Sequence, residues 1–132
     1  MKSMEPRNRG RTLDGRWAEQ RALRLLQGQG WRCLAQRWRC RYGEIDLLMV
    51  KGRSCRMRLL AVEVKARRRL GPDAGGLAAF HHRKRLRLAR ALACWQADHP
   101  WMATAGLEVV LALVPLAPST RPVRWVMVER LI

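Results

Sequence analysis

Apolar positions along the chain first recur at helical spacing: Ala18, Ala22, Leu25 and Leu26 form one stripe that begins near Asp14 and ends at Gly28 and Gly30. Asp14 stands where an N-cap would, and Glu19 lies at the edge of the stripe. The period then changes. Trp31 to Trp38 alternates loosely, as a first strand does, and the basic connector Arg39 to Arg41 with Gly43 leads to a second strand over Glu44 to Lys51. Gly52 to Ser54 reads as a turn and Met57 to Lys65 as a third strand, together an antiparallel hairpin or meander. Ala66 to Arg69 is strongly basic, and Gly71, Pro72, Gly75 and Gly76 mark an irregular loop. A long helix follows from Leu77 to Ala97, with Leu88, Ala91, Leu92 and Trp95 on one face and Arg83, Arg87 and Arg90 on another. Leu107 to Val114 is nearly continuously apolar, as expected of a strand covered on both sides. Pro115 to Pro122 reads as a loop and Val123 to Val128 as a last strand.

The order helix, three strands, helix, two strands predicts an α/β fold, a mixed sheet of about five strands flanked by two helices. The 132 residues suffice for one domain with a hydrophobic core, here the whole chain, with residues 1–12 as a flexible basic arm carrying Arg7, Arg9 and Arg11. A hydrophobic share of 48% beside 28% charged residues excludes a disordered chain, because disorder goes with low hydrophobicity as well as high charge.

Charge narrows the partners. Against 27 Lys and Arg stand only 10 Asp and Glu, for a net charge of +17, and so large a field favours polyanions. Met1 to Gly15 lacks the apolar core of a signal peptide, and no long uncharged run is present, which predicts a cytoplasmic protein without a membrane span. Four cysteines, Cys33, Cys40, Cys55 and Cys94, form no C-x-x-C pair and read as reduced core thiols rather than zinc ligands. Trp95 and Trp125 read as core, and Trp38, among Arg37, Arg39 and Arg41, as the tryptophan best placed for a base or sugar.

The candidate chemistry sits in Tyr42-Gly43-Glu44-Ile45-Asp46-Leu47-Leu48 and in Val62-Glu63-Val64-Lys65. Carboxylates in apolar strands are costly unless something pairs with them. Strand alternation puts Glu44 and Asp46 on one face and Glu63 and Lys65 on another, so pairing with these faces aligned brings Asp46, Glu63 and Lys65 together. Such a set suits Mg²⁺ or Mn²⁺, which favour hard oxygen ligands. The bland reading of E-V-K by itself is a surface ion pair of little energetic weight.

G-E-I-D-L-L followed by V-E-V-K-A-R, after a helix bearing R-W-A-E-Q-R-A-L, resembles the YraN-like family of small bacterial proteins, itself similar to restriction-endonuclease-like (PD-(D/E)XK) nucleases and archaeal Holliday-junction resolvases. The resemblance runs from about Leu13 to the C-terminus. It implies a restriction-endonuclease-like fold and a metal-dependent endonuclease acting on DNA, branched or single-stranded. Asp46, Glu63 and Glu19 then match the metal-binding acids, Lys65 assists the attack, and Glu44 is an accessory candidate. Junction-cutting relatives work as homodimers, an arrangement the resemblance extends to this chain. The alternative is a catalytically inactive nucleic-acid-binding module on the same fold. Arg41, Arg67, Arg68, Arg69, Arg83, Lys84 and Arg87 are the expected phosphate contacts. His81 and His82 are expected at the surface rather than in catalysis. The chain departs from the family pattern at Ala18, where glycine is usual, at Ala66, where Thr or Ser is usual, and at Leu107 and Glu108, where Phe and Asp are usual.

Overall fold

A computed structural model describes residues 9–53, 56–67, 81–129 and 131, with side chains from residue 13 onward. The elements run α1 (Arg9–Gly28), β1 (Arg32–Cys40), β2 (Gly43–Lys51), β3 (Arg58–Arg67), α2 (His82–Asp98), a short 3₁₀ turn (Pro100–Met102), β4 (Gly106–Pro115) and β5 (Arg124–Val128). They form one mixed sheet in the order β1-β2-β3-β4-β5. Neighbours pair antiparallel except β3 and β4, which are parallel. A parallel neighbour requires a crossover, and α2 supplies it.

The two helices cover opposite faces because each carries one apolar stripe. Leu88, Ala91, Leu92 and Trp95 of α2 pack with Leu48, Val50, Leu59, Ala61, Val109, Leu111 and Leu113. Ala18, Ala22, Leu23 and Leu26 of α1 pack with Leu47, Met49, Leu60, Val62, Val110, Ala112 and Val114. Adjacent residues of β2, β3 and β4 thus feed different cores, which is why these strands are apolar almost throughout. Burying each Leu or Val fully contributes roughly 1.5–3 kcal/mol.

Several local expectations change. α1 begins at Arg9, so Asp14 lies inside the helix and does not cap it, and residues 9–12 of the expected arm are helical while residues 1–8 lie outside the described residues. Leu23 takes the place in the stripe assigned to Leu25, which is 44% exposed. The helix assigned to Leu77–Ala97 begins at His82, and residues 77–80 lie outside the described residues. β1 continues through Arg39 and Cys40, which read as connector in the sequence, and β3 continues through Arg67. Trp38 is partly buried against the α2-side core, whereas Trp125, assigned to the core, is 37% exposed on the edge strand β5.

β1 departs from regular alternation twice, at a register shift between Cys33 and Ala35 and at Arg37, whose φ of 51° is left-handed. Opposite Arg37, β2 twists: Ile45 joins the α2-side core, yet Leu47, two residues on, joins the α1-side core. Asp46 sits between them. β2 and β3 run in register from Lys51↔Arg58 to Leu47↔Val62, the last backbone pair, and beyond it they part around Asp46.

Candidate active site

The opening between the parted strands is the candidate site. A cavity of about 630 Å³ is walled by Arg39, Cys40, Arg41 and Tyr42 from β1 and its turn, by Gly43, Glu44 and Asp46 from β2, by Glu63 and Lys65 from β3, and by Lys84, Arg87 and Leu88 from α2. The structure therefore brings Asp46, Glu63, Lys65, Glu44, Arg41, Lys84 and Arg87 to one cavity.

Asp46 Oδ2 accepts a hydrogen bond from the Val64 N–H at 2.8 Å, so a carboxylate bridges the strands where the backbone ladder stops. Burial, the neighbouring Glu63 and, more weakly, Glu19 and Glu44 push its carboxyl up from the ordinary value to about 8, against the opposing pull of the Val64 N–H. Glu63 and Lys65 pair at 3.3 Å with most of both side chains covered. Lys65 in turn meets Lys84, and that contact, with burial, holds the Lys84 ammonium below the usual lysine range. Two ammonium groups from different elements thus converge beside two carboxylates, the kind of donor set that could hold an anion and a cation side by side.

Gly43 fixes the wall of the cavity. A Cβ there would lie 3.2 Å from the Arg87 carbonyl oxygen, so the turn rests directly on α2. Glu44 is tied to Arg39 at 3.2 Å in an exposed pair.

Glu19 is placed differently. It is drawn to Arg37 at 2.8 Å in a largely covered ion pair and does not line the cavity, although its charge reaches Asp46. Arg83 is exposed on α2 and does not line the cavity, and Arg67 ends β3, where its carbonyl accepts from Leu116 N–H at 2.9 Å. Arg68 and Arg69 lie outside the described residues. His81 and His82 are exposed at the start of α2. Glu108 is held by Arg58 through two bonds of 2.7 and 3.1 Å at the other end of β3, which settles that carboxylate away from the cavity. Tyr42 was not singled out from sequence as a functional side chain, although an aromatic residue at a turn beside Arg39 and Arg41 is a readable signal.

Among the described residues no group of three or more acidic, His or Cys side chains is close enough to hold a metal ion by itself. Asp46 and Glu63 nonetheless fit a small hard cation such as Mg²⁺, which often takes one or two carboxylates and completes its shell with water and substrate phosphate. Asp46, whose carboxyl burial and the neighbouring Glu63 charge push up to about 8, is the kind of donor such an ion relieves.

Residues 18–112 match the family model described as "Uncharacterised protein family UPF0102". The chain belongs to the UPF0102 family. This is the YraN family, as the motifs imply. The chain is 52% identical over 120 residues to a UPF0102 protein of Prochlorococcus marinus strain MIT 9303, covering 91% of this chain and 92% of the relative. It is 48% identical over 119 residues to one of Synechococcus sp. strain CC9902, covering 90% and 95%. One from Halorhodospira halophila is 44% identical over 112 residues, covering 80% and 84%. The UPF0102 match begins at Ala18 and so takes in Glu19, both strands of the cavity and α2.

Proposed function

We propose that this UPF0102 protein is a divalent-metal-dependent endonuclease that hydrolyses phosphodiester bonds in DNA. The observation that carries this reading is the meeting of Asp46, Glu63 and Lys65 in one cavity that Arg39, Arg41, Lys84 and Arg87 also line. Asp46 and Glu63 would hold Mg²⁺ or Mn²⁺, which when bound polarises a phosphoryl oxygen and lowers the pKa of an attacking water. Lys65, paired with Glu63, would orient an attacking water or offset negative charge developing on the phosphate. Lys84, Arg87 and Arg41 approach from other elements to grip the flanking phosphates, which fixes the strand without reading its sequence. Among the described residues no helix is long and apolar enough to cross a membrane.

A second reading, a binding module without turnover, is favoured by one observation: Glu19 is engaged with Arg37 rather than turned into the cavity. Incubation with linear, single-stranded and four-way-junction DNA in Mg²⁺ or Mn²⁺, beside Glu63→Ala and Lys65→Ala, separates the two. Cleavage lost in both variants supports the nuclease. Equal cleavage by wild type and variants refutes this site, and tight binding with no cleavage of any substrate supports the module.

A further inference from the structure

A second recess adjoins the cavity, bounded by Tyr42 and by Arg90, Ala93 and Cys94 of α2. Tyr42 is a wall of both spaces. We propose that this recess is a base-binding subsite, in which one unpaired nucleotide stacks on Tyr42 while its neighbouring phosphate lies among the basic groups of the cavity. The proposal rests on the endonuclease reading for the site and adds the substrate class: DNA with an unpaired base beside the phosphate that is held.

Three features of Tyr42 support it. The residue is 44% exposed, although it sits in the turn between β1 and β2, next to the strand that carries Glu44 and Asp46. Stacking is the use of an exposed ring that needs no particular base, because every base offers a π face. The ring is also electrostatically dressed for nucleic acid, with the Arg41 guanidinium 5.4 Å from its centroid and Arg90 across the recess. Finally, the turn is held from below: the Tyr42 N–H donates to Cys40 Sγ at 3.4 Å, Cys40 contacts Cys94 of α2, and Gly43 rests on the Arg87 backbone. A platform already fixed loses little freedom on binding.

A paired base has both faces covered by its neighbours in the duplex, so it cannot use the recess without first leaving the stack. Bulges, flaps and single strands present such a base at no unpairing cost. The subsite thus discriminates by strand structure and not by sequence.

The test measures binding by the full chain without turnover, in buffer with EDTA. The probes are fluorescent DNA of three kinds: a single strand, a duplex with one bulged nucleotide and a fully paired duplex. Tyr42→Ala is expected to weaken the first two by roughly tenfold, to leave the paired duplex within about twofold, and Tyr42→Trp to restore binding. With 2-aminopurine at the bulge, wild type should change its fluorescence on binding and Tyr42→Ala should not. Equal losses on all three probes, or none on any, would overturn the subsite, as would failure of wild type to bind any of them. Circular dichroism confirms that each variant is folded, and Tyr42→Trp gives an independent reading if Tyr42→Ala is not. Cleavage assays report separately on the nuclease. A Tyr42-dependent preference without cleavage leaves the subsite standing and removes turnover, whereas Asp46-dependent cleavage with no Tyr42 effect does the reverse.

Discussion

Replacing Asp46 with Asn should make the metal-free protein more stable at high pH and leave it unchanged in acid. Asn keeps an oxygen to accept from the Val64 N–H, so the strand bridge survives while the charge is lost. In the folded protein the carboxyl keeps its proton up to about 8, whereas its ordinary value is 3.8. Between those values the folded state binds more protons than the unfolded one, so raising the pH favours unfolding and stability falls across that window. At about 1.4 kcal/mol per unit the full shift corresponds to at most about 6 kcal/mol. The open side of the cavity reduces this, and about 2–3 kcal/mol is the expected gain for Asp46→Asn at pH 8. For a chain of this size that is on the order of 10 °C in melting temperature. Urea unfolding of both proteins at about pH 4.5, 6.5 and 8 in EDTA provides the assay. The difference should be small at the lowest pH and grow through the series. A constant difference, or a wild type that gains on the variant as pH rises, would refute the reasoning about crowded carboxylates.

Other consequences are checked by the same kinds of measurement. Millimolar Mg²⁺ at pH 8 should raise the melting temperature of wild type more than that of Asp46→Asn, since a ligand bound only by the folded state stabilises it. Arg37→Ala removes the partner of Glu19 and keeps the left-handed backbone, so it should cost about 1–3 kcal/mol in urea unfolding, and Arg37→Gly should recover about 1 kcal/mol of that loss. Gly43→Ala should displace the turn from α2, costing about 1–2 kcal/mol and weakening binding of single-stranded DNA in the same titrations. DNA affinity should fall steeply with salt, and Arg87→Ala should flatten the dependence by about one counterion.

Much of the fold was legible because its signals are strong and local. The stripe Leu88, Ala91, Leu92, Trp95 and the apolar run of β4 appear where periodicity placed them. Errors arose where a tertiary contact decides. Leu23 and Leu25 are alike by composition, and only the placement of α1 on the sheet determines which one is covered. Trp38 keeps basic neighbours in sequence, yet it lies partly buried against the α2-side core next to the break in alternation at Arg37, and a left-handed arginine has no sequence signature. In the site, strand parity sufficed for Asp46, Glu63 and Lys65 because all three lie near the point where the ladder ends. Glu19 joined the set from its place on the preceding helix and from the resemblance, and its pairing with Arg37 depends on that same irregular turn of β1.

The division of labour on α2 has an evolutionary consequence. One side of the helix is packed into the sheet through Leu88, Ala91, Leu92 and Trp95, while Arg87 and Arg90 stand exposed on the other. Exposed substitutions away from caps and networks alter stability little, whereas losing a packed Leu costs several kcal/mol. Mutation can therefore retune the grip on a polyanion one charge at a time, with folding acting as a nearly independent constraint. In related chains the apolar stripe should drift slowly and the cationic side quickly, so differences in substrate preference are to be sought along that side, which at Arg87 forms part of the acidic cavity's wall.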